Sequence, residues 1–215
     1  IMSATHFGIG DSVFISELDR LKGRTSSPLP VWAYASAGGA LPVAIPLVNS
    51  RSTEALEQVN SNLINWHYGY DAQIQMAVAA IATISLLVLA SRKRYRDCVD
   101  IGLLAALAAF APPLVAFAVY FGCWHAMRHT ARLTSLLPAS IAAYERDDSS
   151  TAFRKAVIPG LPALFGTLIF VALLAGFSRD DITDQFLWLT LVTIWALTVP
   201  HMIVTAKLDR AALKN

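Results

Sequence analysis

The sequence predicts an all-α fold, a polytopic integral-membrane helical bundle. Three observations carry that prediction. Hydrophobic residues make up 55% of the 215 positions and charged residues only 15%, where a soluble domain carries about a quarter. The mean hydropathy is positive, at +0.51. The charges are also clustered, so long charge-free runs lie between them.

The first run lies between Arg24 and Arg51, the next between Asp71 and Arg92. Others span Asp100 to Arg128, Lys155 to Arg179, and Asp184 to Lys207. Each is long enough for a helix to cross a hydrocarbon core, which takes roughly 20 residues. Lipid accepts only helices or closed barrels. These runs are rich in Leu, Ala and Ile without period-two alternation, which favours helices. The segment 31–48 holds Gly38, Gly39, Pro42 and Pro46 and predicts an irregular helix. Such backbone at membrane depth lines a cavity or packs against protein. No internal repeat or low-complexity linker interrupts the chain, so 1–215 reads as a single membrane domain. The apolar start at Ile1 reads as a chain lacking one or more N-terminal helices.

Basic residues mark cytoplasmic loops. In a multi-pass protein of the cell membrane, clusters at 20–24, at 92–96 (Arg92, Lys93, Arg94, Arg96), at 145–155 and at the C-terminus are placed on the cytoplasmic side. The loops at 51–71 and 178–184 carry more acid and are placed outside. The stretch 98–140 then lies between two inside loops. It makes two short passes, or one pass plus a re-entrant segment, with Pro112-Pro113 or Gly122 as the break.

The net charge of +2 says little about partners. No basic stripe interleaved with aromatics points to nucleic acid. Cys98 and Cys123 have no metal spacing and form no disulfide framework; both read as small packing residues. A Gly-rich phosphate loop, paired acid–base carboxylates and a nucleophile elbow are all missing, so hydrolysis and phosphoryl transfer lack their usual equipment.

Five histidines remain: His6, His67, His125, His129 and His201. Ionisable residues inside a membrane are costly and raise a functional question by default. His125 and His129 are four apart, which places them on one face of an α-helix about one turn apart. That spacing lets two imidazoles grip one metal ion. Depth supplies a third candidate. His6 lies 14 residues before Arg20, roughly 21 Å along a straight helix. If the helix of His125 returns near Ser140, His125 sits roughly 22 Å up and His129 roughly 16 Å up. His201 is lower, roughly 9 Å above Lys207, and Pro200 is placed to kink its helix. His67, among Trp66, Tyr68 and Tyr70, reads as part of an interfacial belt. Three or four imidazoles without a carboxylate suit iron(II), zinc or copper. Asp11 is placed to orient His6 through its other ring nitrogen.

The run Tyr120-Phe121-Gly122-Cys123-Trp124-His125-Ala126-Met127-Arg128-His129 resembles the signature of the Brp/Blh family of β-carotene 15,15′-dioxygenases. His6-Phe7-Gly8-Ile9-Gly10-Asp11, the Gly38–Leu47 stretch and Val199-Pro200-His201-Met202 resemble further parts of that family, in the same order. The resemblance implies an integral membrane enzyme with a non-haem iron centre. It implies O2-dependent cleavage of the central double bond of β-carotene into two molecules of retinal, with a functional link to rhodopsin-type opsins. It carries His6, His125 and His129 over as catalytic Fe(II) ligands and keeps His201 as a further metal ligand. It also implies a fourth histidine in an earlier helix, ahead of Ile1. Phe7, Tyr120, Phe121 and Trp124 would line a tunnel for the polyene. Two rivals stand beside it. A di-iron desaturase needs roughly eight histidines, and the chain has five. A non-enzymatic transporter or retinal/opsin assembly factor would share the broken helices but consume no oxygen.

Overall fold

The computed structural model describes residues 2–23, 27–48, 57, 69–176 and 182–214. His67 and most of the loops expected at 51–71 and 178–184 lie outside the described residues. Among the described residues every regular element is helical. In chain order these are α1 (Met2–Leu21), α2 (Val31–Val48), α3 (Asp71–Ser91), α4 (Tyr95–Phe110), α5 (Pro113–Ala118), a π-helical segment (Val119–Ala126), α6 (Met127–Leu133), α7 (Pro138–Tyr144), α8 (Ser149–Val157), a 3₁₀ turn (Ile158–Gly160), α9 (Leu161–Gly176) and α10 (Ile182–Lys214).

The contacts divide into two compact units. One holds residues 1–126 and 205–215, the other residues 127–204. Helix α10 therefore contributes to both.

In the first unit α1 lies against α2 closely enough to exclude a methyl group at two points. A Cβ on Gly8 would stand 1.9 Å from the Ala35 carbonyl oxygen, and one on Gly39 would stand 1.9 Å from that of Ala4. Small residues let helix backbones approach in this way where apolar attraction alone cannot choose a partner. Helix α2 is one continuous span from Val31 to Val48 with Pro42 and Pro46 inside it, each removing a single backbone donor. The core of this unit joins Ile15, Tyr34, Leu41, Leu89, Ile101, Leu104 and Tyr120, and the half-buried Cys98 packs against it.

Arg94, within the basic cluster at 92–96, is a buried member of it. It is 6% exposed. Its Nε donates to Asp97 at 2.5 Å and its Nη1 donates to Asp19 at 2.7 Å and to the Ser27 carbonyl at 3.3 Å. The guanidinium fork ties α1, α4 and the stretch after α1 together, which a lysine ammonium would not do as well. Beside it Tyr34 donates to Asp100. Replacing Arg94 with Met leaves two carboxylates without their cation. Breaking a buried pair in this way costs about 3–5 kcal/mol, and a thermal or denaturant midpoint measured in detergent should fall accordingly. An unchanged midpoint would show the cluster to be energetically idle.

The 98–140 stretch breaks first at Ala111-Pro112, where Pro112 is extended and Pro113 starts α5. It breaks again at Thr134–Leu137, before Pro138 opens α7. The straight helix from His125 to Ser140 assumed in the depth arithmetic is thus interrupted, because Pro138 cannot continue the hydrogen-bond ladder of α6.

In the second unit Asp148 caps α8. Hydrogen bonds from the Thr151 side chain and then from its backbone N–H hold the Asp148 carboxyl below its ordinary 3.8. The folded form therefore gains stability from this carboxylate above that value and loses it as pH falls through the lower folded one. The protection of the Thr151 amide against exchange, taken relative to its intrinsic rate at each pH, should fall with acid across that window, and Asp148→Asn should remove this dependence. A cavity of about 200 Å³ beside it, lined by Tyr144, Asp147 and Phe153 among others, holds none of the histidines.

Among the described residues two helical stretches, Asp71–Ser91 and Ser149–Gly176, are long and apolar enough to cross a membrane. On the second, Phe165, Ile169, Phe170 and Leu173 are each more than half exposed. That is the inverse of a soluble helix, whose large apolar side chains face a core.

Candidate histidine site

Helix α1 presents His6, Phe7 and Asp11, and the π-helical segment presents Tyr120, Phe121 and His125. The π winding decides how the second group is arrayed. Residues five apart fall on opposite sides of an α-helix but above one another when each turn takes in an extra residue. Tyr120 and His125 are five apart. Their rings stack with centroids 6.1 Å apart at 26°, and both reach one carboxylate. Tyr120 Oη donates to Asp11 Oδ2 at 3.3 Å, and His125 Nδ1 meets Asp11 Oδ1 at 3.4 Å. All three are buried: Tyr120 at 0%, Asp11 at 1% and His125 at 5% exposure. A carboxylate, when ionised, only accepts; with Nδ1 of His125 as the donor to it, Nε2 is left for another partner.

His6 stands beside His125 with ring centroids 5.1 Å apart at 73°. Its Nδ1 meets Thr205 Oγ1 at 3.4 Å, and Thr205 is 2% exposed. Asp11 thus orients His125, not His6 as expected. On α1 it lies five residues after His6, which turns it to the far side of an ordinary α-helix. Phe7 packs edge-on against His125, Tyr120 and Phe121, at 4.9, 5.4 and 6.4 Å between centroids. Phe117 stacks on Phe121 at 5.7 Å and 14°. These two rings are 39% and 42% exposed, so a strip of aromatic surface runs into the buried pair. Trp124 is half-buried against the core of the same unit.

In the second unit His129 and His201 form another pair, with ring centroids 5.5 Å apart at 73°. The structure thus describes one pair in each unit: His125 with His6 in the first, and His129 with His201 in the second. Among the described residues no group of three or more His, Cys, Asp or Glu side chains gathers as a metal site; the imidazoles come in twos. Each pair has the spacing that two ligands of one ion require. Imidazole bonds of about 2.1 Å to a shared ion put the ring centres on the order of 5 Å apart. In the first pair both imidazoles are engaged at Nδ1, which leaves Nε2 as the donor atom that a borderline transition metal would take.

Sequence reasoning missed Thr205 and the role of Tyr120. Thr205 lies 199 positions from His6, with no motif to join them. Tyr120 is hidden by its five-residue spacing, which reads as the wrong face of an α-helix.

No curated protein and no solved structure matches the chain. A family model described as beta-carotene 15,15'-dioxygenase matches residues 1–209, a range that takes in His6, Asp11, Tyr120, His125, His129, His201 and Thr205. On that match the chain belongs to the beta-carotene 15,15'-dioxygenase family.

Proposed function

We propose that this protein is an integral-membrane oxygenase that cleaves the central double bond of β-carotene with O2, giving two molecules of all-trans-retinal. The family match over 1–209 is the observation that carries the reading. The reaction balances without a further reductant: one C=C bond and one O2 become two C=O bonds, and each aldehyde takes one oxygen atom. The proposed cofactor is Fe(II), held by histidines drawn from His6, His125, His129 and His201; when bound it supplies activation of O2 beside open coordination positions.

The chain's own residues do the rest. Asp11 fixes the ring of His125, and Tyr120 occupies the other carboxylate oxygen and so fixes Asp11. Phe7 and Tyr120 pack around the His125 ring and exclude water. The half-exposed rings of Phe117 and Phe121 offer flat apolar faces to a polyene. The exposed apolar side chains of Phe165, Ile169 and Phe170 are read as lipid-facing, which would let the protein meet an oil-soluble substrate where it dissolves.

Expression of the full-length protein in carotene-producing cells tests this. Orange colour should fade while retinal accumulates, and the loss should depend on oxygen and iron supply. Carotene persisting despite good expression would instead favour the transporter or opsin-assembly reading. Two irons per chain would favour a di-iron enzyme.

A further inference from the structure

We propose that Thr205, on the C-terminal helix, is the positioning residue for His6: it fixes the tautomer of that imidazole so that Nε2 faces a metal ion. The proposal deepens the reading of His6 as a ligand and rests on it.

Both described histidines of the first unit are engaged at the same ring atom, but by different chemistry. His125 Nδ1 meets a carboxylate oxygen of Asp11, and His6 Nδ1 meets the hydroxyl oxygen of Thr205, each at 3.4 Å. A neutral imidazole carries one proton on either nitrogen. A hydroxyl can donate or accept; with Thr205 in the acceptor role, Nδ1–H of His6 donates to it and the lone pair resides on Nε2, where a ligand must have it. Outer-shell partners of this kind fix ring orientation and set ligand basicity. A carboxylate partner raises basicity; a neutral hydroxyl orients without adding charge. The pair is thereby asymmetric, with His125 the stronger donor and His6 the weaker.

Burial supports a specific role for this threonine. It is 2% exposed although its neighbours Val204 and Ala206 on α10 are exposed. A valine at that position would keep its volume and branching while removing the acceptor, which separates hydrogen bonding from packing.

The test is the affinity of the full-length, detergent-solubilised protein for Fe(II), titrated anaerobically without substrate. Thr205→Val should weaken Fe(II) binding about 10-fold or more, in the range known for outer-shell partners of metal-bound histidines. Thr205→Ser should restore affinity to within about 2-fold of the parent, since it returns the oxygen. Affinity unchanged in Thr205→Val would overturn the proposal. His6→Ala is titrated in parallel. A loss in His6→Ala with none in Thr205→Val leaves His6 a ligand and removes Thr205. An unchanged affinity in His6→Ala removes both. Histidine ¹⁵N spectra of the unsubstituted protein give a second measurement that needs no stable variant at position 205. The His6 signal, assigned by its loss in His6→Gln, should show protonated Nδ1; a protonated Nε2 would overturn the assignment.

Discussion

Replacing Gly39 with alanine is expected to part helix α1 from helix α2. The added carbon would stand 1.9 Å from the Ala4 carbonyl oxygen. That obstacle is backbone, so no side-chain rotation relieves it. Gly8→Ala meets the Ala35 carbonyl at the same distance from the other helix. Overpacking a filled interior costs about 1–3 kcal/mol, occasionally more, and a backbone clash belongs at the upper end. The consequence for the site is direct, because Gly8 lies between His6 and Asp11 on α1. Gly10→Ala is the matching control. Its new carbon would lie 3.5 Å from His125 Cε1, an ordinary contact. Thermal midpoints should therefore fall sharply for Gly8→Ala and Gly39→Ala and stay near the parent for Gly10→Ala. Equal midpoints for all three would mean the helices are free to separate.

The second large effect is expected at His125. His125→Ala should abolish retinal formation in the pigment assay, and unchanged bleaching would refute its role. Asp11→Asn is the more informative companion. The amide keeps the volume and one oxygen but loses the charge that supports the His125 donor. Fe(II) affinity or activity should fall about 10- to 100-fold, the usual cost of losing an outer-shell partner, while the fold is kept. A full loss of folding would instead mark Asp11 as a structural residue.

Much of this architecture was legible because it depends on composition and short-range rules. Pro112-Pro113, offered beside Gly122 as the break, is where the helix interrupts, and the apolar runs located α3 and α9. The histidines stood out because each is costly in apolar surroundings. What stayed hidden depends on long-range geometry. Arg94 looked like a loop cation, and only the fold brings Asp19 and Asp97 to it. Asp11 looked like the partner of its near neighbour His6, but an α-helix turns residues five apart away from each other. Thr205 had no visible tie to residue 6 at all. The pairing of His129 with His201, and of His125 with His6, likewise follows from tertiary contacts that no spacing encodes.

The π-helical segment makes residue count, rather than residue identity, a determinant of the site. Between Tyr120 and His125 the chain carries four residues, and the wide turn absorbs one more than an α-helix would. Gly122 has nothing within 4 Å of the place where its side chain would begin, so other residues fit there. Deleting that same position would let the turn close to an α-helical one with Tyr120 and His125 four apart and still on one face, whereas keeping all the residues in an α-helical turn would carry Tyr120 about 140° away from His125 and leave Asp11 holding only one of them. Along these eight residues the letter is free where length and winding must agree.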